Sequence, residues 1–220
     1  MEALVAQYDT ADLTLNLAGQ PFRLTCVADL EALLARLDPV TFAEDERLPY
    51  WAELWPSAVA LADYLLRRLC LAGKRVLELG CGLGLVSLVA ARQGARVLGI
   101  DYEPAAIAFA RHNARRNACR HARFRLMDWR YPALRRRYDC ILAADVLYEA
   151  RHFGALLALL WRALARGGLA LFAEPGRPQA APFFALLRQH GFTCTQEVVP
   201  LSWQGGEHQI GIHTVRFSPR

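Results

Sequence analysis

From residue 74 onward the sequence alternates short apolar runs with helical patterns of 10–15 residues, and this alternation constrains the fold more than any other feature. RVLELG (75–80), ARVLGID (95–101), ARFRLMD (122–128), YDCILAADVLY (138–148) and LALFAE (169–174) predict strands. Between them, LGLVSLVAARQ (83–93), PAAIAFARHNARRN (104–117) and HFGALLALLWRALA (152–165) predict helices, the last ended by Gly167 and Gly168. A further helix is expected over APFFALLRQH (181–190). Strands joined through helices pair in parallel, so the pattern predicts a doubly wound α/β sheet covered on both faces. TCTQEVVP (193–200) and QIGIHTVRFS (209–218) have no helix between them and are expected to close one sheet edge as an antiparallel hairpin.

The first 73 residues have a different texture. DLTLNLAGQPFRLTCV (12–27) alternates like a β-hairpin turning at AGQP. DLEALLARL (29–37) predicts a short helix with Asp29 near its cap, and residues 38–50 are irregular and acidic. SAVALADYLLRRLCL (57–71) predicts a helix capped by Ser57. With 220 residues, the expectation is an N-terminal extension, 1–50, and one main domain, 51–220. Residues 1–73 carry 5 basic and 11 acidic groups, while residues 74–220 carry 21 and 10. All basic residues but Lys74 are arginines, and the basic stretches lack the aromatic interleaving that grips RNA. Nucleic acid is therefore not the expected partner. The six cysteines have neither CxxC spacing nor accompanying histidine pairs, so no metal site is expected and the thiols read as reduced. No apolar run nears the ~20 residues of a membrane span, and MEALVAQYDT has no signal-peptide pattern. A cytoplasmic protein without membrane contact is expected; the oligomeric state is not legible.

VLELGCGLGL (76–85) is a strand, a glycine turn and a helix start. Gly80, Gly82 and Gly84 let the backbone approach a ligand where a Cβ would collide, and the helix start offers unpaired N–H groups. Asp101 ends the next strand, where it can accept hydrogen bonds from ribose hydroxyls. The third position of a dinucleotide fingerprint is Leu85, not Gly or Ala. Glu78 in the strand end would repel a pyrophosphate but suits a ligand carrying an amino group. Asp128 ends the third strand, placed to receive an adenine amino group, and Trp129 can stack on the ring.

Together, ELGCGLG, Asp101, Asp128-Trp129 and ADVLYE (144–149) resemble the seven-strand S-adenosylmethionine-dependent methyltransferases over about residues 50–218. PYWAELWPSAVALA (49–62), MDWR (127–130), DVLY (145–148) and EPGRP (174–178) are similar to the branch holding protein-lysine and nicotinamide N-methyltransferase-like proteins. The resemblance implies a Rossmann-like seven-stranded sheet with an antiparallel last strand and S-adenosylmethionine as cofactor. It implies that the glycine loop cradles the methionine part and that Asp101 holds the ribose, with Ala144 and Trp55 also on the cofactor. It places Asp145 and Tyr148 beside the transferred methyl group, as the catalytic pair. A protein with an exposed lysine is the implied substrate; the alternative is a small-molecule N- or O-methyltransferase on the same fold. A non-catalytic binding module is the third reading, and the intact loop and acids weigh against it.

LPYWAELWPSA (48–58) crowds two tryptophans around one glutamate just ahead of a helix. Trp51, Trp55 and Glu53 are candidates for the rim of the cofactor and amine site, with a core role expected for at least one indole. Glu174 and Arg177 follow the fifth strand on the same sheet edge, either shaping a substrate channel or forming an exposed ion pair on a Pro-Gly turn.

Overall fold

The computed structural model describes residues 2–35 and 48–219. The acidic run at 44–46 and the end of the helix expected over 29–37 lie outside the described residues. The chain opens with α1 (Glu2–Val5), the hairpin β1 (Thr10–Leu17) and β2 (Gln20–Val27), and α2 (Leu30–Leu34). Ala18 and Gly19 turn the hairpin with φ of 47° and 77°, the left-handed pair that matches the twist of two-residue hairpin turns. Asp29 caps α2 by accepting the Ala32 N–H at 2.9 Å.

A 3₁₀ turn (Tyr50–Ala52) leads into α3 (Pro56–Arg68). Trp55, not Ser57, is the N-cap of α3; Pro56 occupies the first helical position and Ser57 lies inside the first turn with its hydroxyl buried. Proline takes that position because its fixed φ is already helical and no N–H is needed there, which moves the helix start one residue ahead of the serine.

Then follow β3 (Arg75–Leu79), α4 (Leu85–Arg92), β4 (Arg96–Asp101), α5 (Pro104–Arg116), β5 (Ala122–Leu126) and β6 (Tyr138–Ala144). After a second 3₁₀ turn come α6 (Phe153–Ala163), β7 (Leu164–Glu174), α7 (Ala181–Gln189), β8 (Phe192–Trp203) and β9 (Gly206–Phe217). The seven-stranded sheet has the order β5-β4-β3-β6-β7-β9-β8. Strands β3 to β7 pair in parallel, and β9 pairs antiparallel with both β7 and β8. Successive strand residues feed opposite layers: Val76 and Leu142 join the core under α3, α4 and α5, while Leu77 and Ile141 join the core under α6 and α7.

Two expectations need correction. Gly167 and Gly168 do not end a helix over 152–165. That helix stops at Ala163, and the chain passes directly into β7, where Leu164 pairs with Tyr138 ahead of a register shift. The glycines sit inside the strand at this irregularity; a Cβ on Gly168 would lie 2.8 Å from the Asp139 carbonyl. The strand expected over 138–148 ends at Ala144, because Asp145 turns the chain with φ of 57°.

Among the described residues no helix is long and apolar enough to cross a membrane. The hairpin packs on α5 through side chains that satisfy its backbone. Buried Asn113 accepts the Thr25 N–H at 2.8 Å and donates to the carbonyls of Thr25 and Leu83 at 3.1 and 3.0 Å. One amide thereby ties the hairpin to the glycine loop. Asn113→Ala leaves three buried backbone groups without this partner, so it should destabilise the fold by about 3 kcal/mol, read as a lowered urea midpoint with unchanged slope.

Candidate active site

The sheet order reverses between β3 and β6, with β4 on one side of β3 and β6 on the other. At their carboxyl ends lies a cavity of about 370 Å³, within the range that holds small ligands. Its floor is the glycine loop. Gly80, Gly82 and Gly84 have φ of 61°, 48° and 87°, a backbone that side chains rarely adopt. Gly84 has a second duty: a Cβ there would come within 3.0 Å of Ala110, so its absence lets α5 close on the loop.

Two buried acids fix the loop. Glu78 Oε2 accepts the Ser87 N–H at 2.9 Å and the Ser87 hydroxyl, capping the first turn of α4. The carboxylate expected to meet a cationic ligand is thus also a helix cap. Burial raises its pKa to about 8 against the lowering effect of both Ser87 contacts. Asp101 Oδ2 accepts the Gly82 N–H and Oδ1 the Glu103 N–H, each at 3.0 Å. Burial lifts Asp101 to about 6, opposed chiefly by those backbone bonds. Both acids also line the cavity.

Ala144, Asp145, Tyr148 and Trp129 line the cavity, as do Trp51, Glu53 and Trp55. Trp51 does so mainly as core: its ring packs edge-on against Tyr8 at 5.5 Å and tilted against Phe109 at 5.3 Å. Trp55 donates its indole N–H to the Tyr50 carbonyl at 2.7 Å, and its ring meets Tyr50. Tyr50 also faces Tyr148 at 5.7 Å, giving three aromatic rings in contact along one wall.

Arg177 lines the cavity and donates from Nη1 to Asp145 Oδ1 at 2.6 Å. Burial is the chief reason the Asp145 carboxyl titrates above its ordinary value. The Ser57 hydroxyl lies close enough to favour its ionised form, without making a well-formed hydrogen bond.

Two expected site residues do not line this cavity. Glu174 does not line the cavity and forms no ion pair with Arg177. It is buried behind the turn, where Oε2 accepts the N–H groups of Gly176 and Arg177 and Oε1 faces His213 Nε2 at 3.0 Å. Asp128 faces a small neighbouring pocket and is bound to Arg130, which donates from Nε to both oxygens at 2.9 and 2.8 Å. Asp128 also accepts the Arg130 N–H, the turn-capping habit of aspartate. Conversely, Tyr50, Tyr102 and Glu103 line the cavity and are not among the sequence candidates. Tyr102 and Glu103 follow Asp101 directly, so the strand-end rule that selects Asp101 reaches them too.

Among the described residues the lining carries five carboxyl groups, Glu53, Glu78, Asp101, Glu103 and Asp145, against one guanidinium, Arg177. An acidic, aromatic-walled cavity of this size suits a cationic ligand of adenosine dimensions.

Residues 51–203 match the family described as "Methyltransferase domain". The chain belongs to this family. It is 38% identical over 125 residues to the Protein N-lysine methyltransferase METTL21A of Danio rerio, covering 52% of this chain and 56% of that one. It is 33% identical over 155 residues to the EEF1A lysine methyltransferase 3 of Mus musculus, covering 66% and 65%. The chain spans about half the length of the first curated relatives it matches. The fold is shared with magnesium protoporphyrin IX methyltransferase from Synechocystis at a TM-score of 0.59 and 19% identity, covering 86% of this chain and 98% of that one.

Glu78 in this methyltransferase-domain chain gives stability a pH dependence. Its folded value of about 8 lies above the ordinary 4.5, so the folded chain keeps this proton to higher pH than the unfolded chain. Stability from this group is complete below about 4.5 and is lost as pH rises through about 8. Wild type should therefore lose stability relative to Glu78→Gln between pH 5 and pH 8, measured as the difference in urea unfolding free energies; a flat difference would contradict the buried placement of Glu78.

Proposed function

We propose that this chain is an S-adenosylmethionine-dependent methyltransferase that N-methylates a lysine side chain of a protein. The observation that carries the reading is the acidic, aromatic cavity at the sheet's switch point, lined by Glu78, Asp101, Asp145 and Tyr148. When bound, S-adenosylmethionine supplies an electrophilic methyl group on a cationic sulfur. Asp101, already fixed by two backbone N–H groups, has lone pairs left to accept ribose hydroxyls. Glu78 holds an ammonium group, which favours its ionised form against the cost of burial. Trp129, buried beside the cavity, offers its ring face to the adenine.

A lysine amine has an ordinary pKa of about 10.4 and arrives protonated. Asp145 draws the ammonium to the cavity, and the faces of Tyr50, Trp55 and Tyr148 favour the cation and its methylated product. The ammonium passes its proton to solvent as it docks; the same walls then exclude water while the neutral amine and the methyl carbon are aligned, the nitrogen–carbon bond forming as the carbon–sulfur bond breaks. The two relatives named as lysine methyltransferases support a protein substrate over a small amine. The cytoplasm is the compartment this reading assigns, since the six free cysteines remain reduced there.

The test is incubation with methyl-labelled S-adenosylmethionine and a proteome extract. Label on lysine side chains is expected; label confined to small metabolites would overturn the protein-lysine reading. Asp101→Ala should weaken cofactor binding at least about tenfold, and Asp145→Asn should lower kcat more than cofactor affinity.

A further inference from the structure

Asp145 and Arg177 come from different loops and meet at the cavity. The guanidinium is the more exposed partner, with the Arg177 side chain 26% and the Asp145 side chain 12% exposed. We propose that Arg177 is a specificity-determining latch: its guanidinium occupies the seat at Asp145 that the substrate's ammonium takes, and the incoming amine displaces it. This rests on the function proposed above and adds how the amine is admitted.

The geometry supports exchange rather than a permanent pair. Arg177 reaches Asp145 through one nitrogen and one oxygen, the contact an alkylammonium makes equally well. The two-pronged geometry that makes arginine hard to replace is not used. Asp145 is the fixed partner: its N–H bonds the Ala173 carbonyl at 2.9 Å, and its backbone is held at a φ of 57°. On the other side the backbone of Arg177 is fixed. Glu174 accepts the Gly176 and Arg177 N–H groups at 2.7 and 2.8 Å, and is itself held by His213, which stacks on Phe184 at 3.8 Å. A long side chain on a pinned backbone can swing toward solvent and return without moving the loop. A cation that replaces it also gains the ring faces of Tyr50 and Tyr148 in the same cavity. A neutral alcohol lacks the charge to compete with a guanidinium, so the latch selects amines over hydroxyl substrates.

The probe is n-butylammonium, a lysine side-chain surrogate, titrated calorimetrically into wild type, Arg177→Gln and Arg177→Gln/Asp145→Asn, with and without S-adenosylhomocysteine. Arg177→Gln should bind it about tenfold tighter or more, the scale of one charged hydrogen bond no longer displaced, and the double variant should lose that gain. Ethylguanidinium added to Arg177→Gln should compete with the amine. Equal or weaker amine binding by Arg177→Gln would overturn the latch. Should Arg177→Gln fail to fold, the Arg177 side-chain nitrogen resonances of wild type decide: they should shift when n-butylammonium is added, and unchanged resonances would overturn it. Failure of wild type to bind S-adenosylhomocysteine would count against the cofactor reading alone, because the amine titration tests the latch in either case.

Discussion

The glycine loop keeps its shape because two buried carboxylates hold it from the strand ends. Glu78 takes the Ser87 N–H at the start of α4, and Asp101 takes the Gly82 N–H in the middle of the loop. A loop with three left-handed glycines has much conformational freedom to lose on folding, and these bonds specify one conformation. The cost is desolvation, visible in the raised pKa values of both acids. On the proposed reading a cationic ligand offsets that cost, so the same two groups that shape the cavity would favour a charged occupant.

The N-terminal hairpin serves that loop from a distance. Asn113 on α5 satisfies the hairpin at Thr25 and the loop at Leu83. Arg116 pairs with Asp12, and Asn117 accepts the Arg23 N–H at 3.0 Å. Trp51 is wedged between Tyr8 and Phe109, so the segment bearing the aromatic wall is anchored to both the extension and α5. One of the two neighbouring indoles is structural by this packing, while Trp55, held by the Tyr50 carbonyl, is the less buried ring on the cavity side.

Much of the fold was legible in the sequence because periodicity reports burial directly. The βαβ alternation, the closing hairpin and the strand ends bearing Glu78 and Asp101 follow from it. What was not legible depends on where side chains point. Asp128 reads from its strand-end position as a ligand acid, and nothing local shows that Arg130, two residues on, folds back onto both its oxygens. Glu174 and Arg177 read as neighbours in one motif, yet the turn at Gly176 sends one carboxylate inward to His213 and the guanidinium across to Asp145. No local pattern encodes a contact across 32 residues. The glycine pair at 167 and 168 misleads for a related reason: glycine marks a helix stop and a strand irregularity alike, and only the pairing of Leu164 with Tyr138 separates them.

A crystal structure with S-adenosylhomocysteine bound tests the central claim most directly. The account expects the ribose hydroxyls within hydrogen-bond distance of Asp101, the amino group toward Glu78, and the sulfur turned to Asp145 and Tyr148. A ligand seated away from the glycine loop, or with its sulfur turned from Asp145, would contradict it.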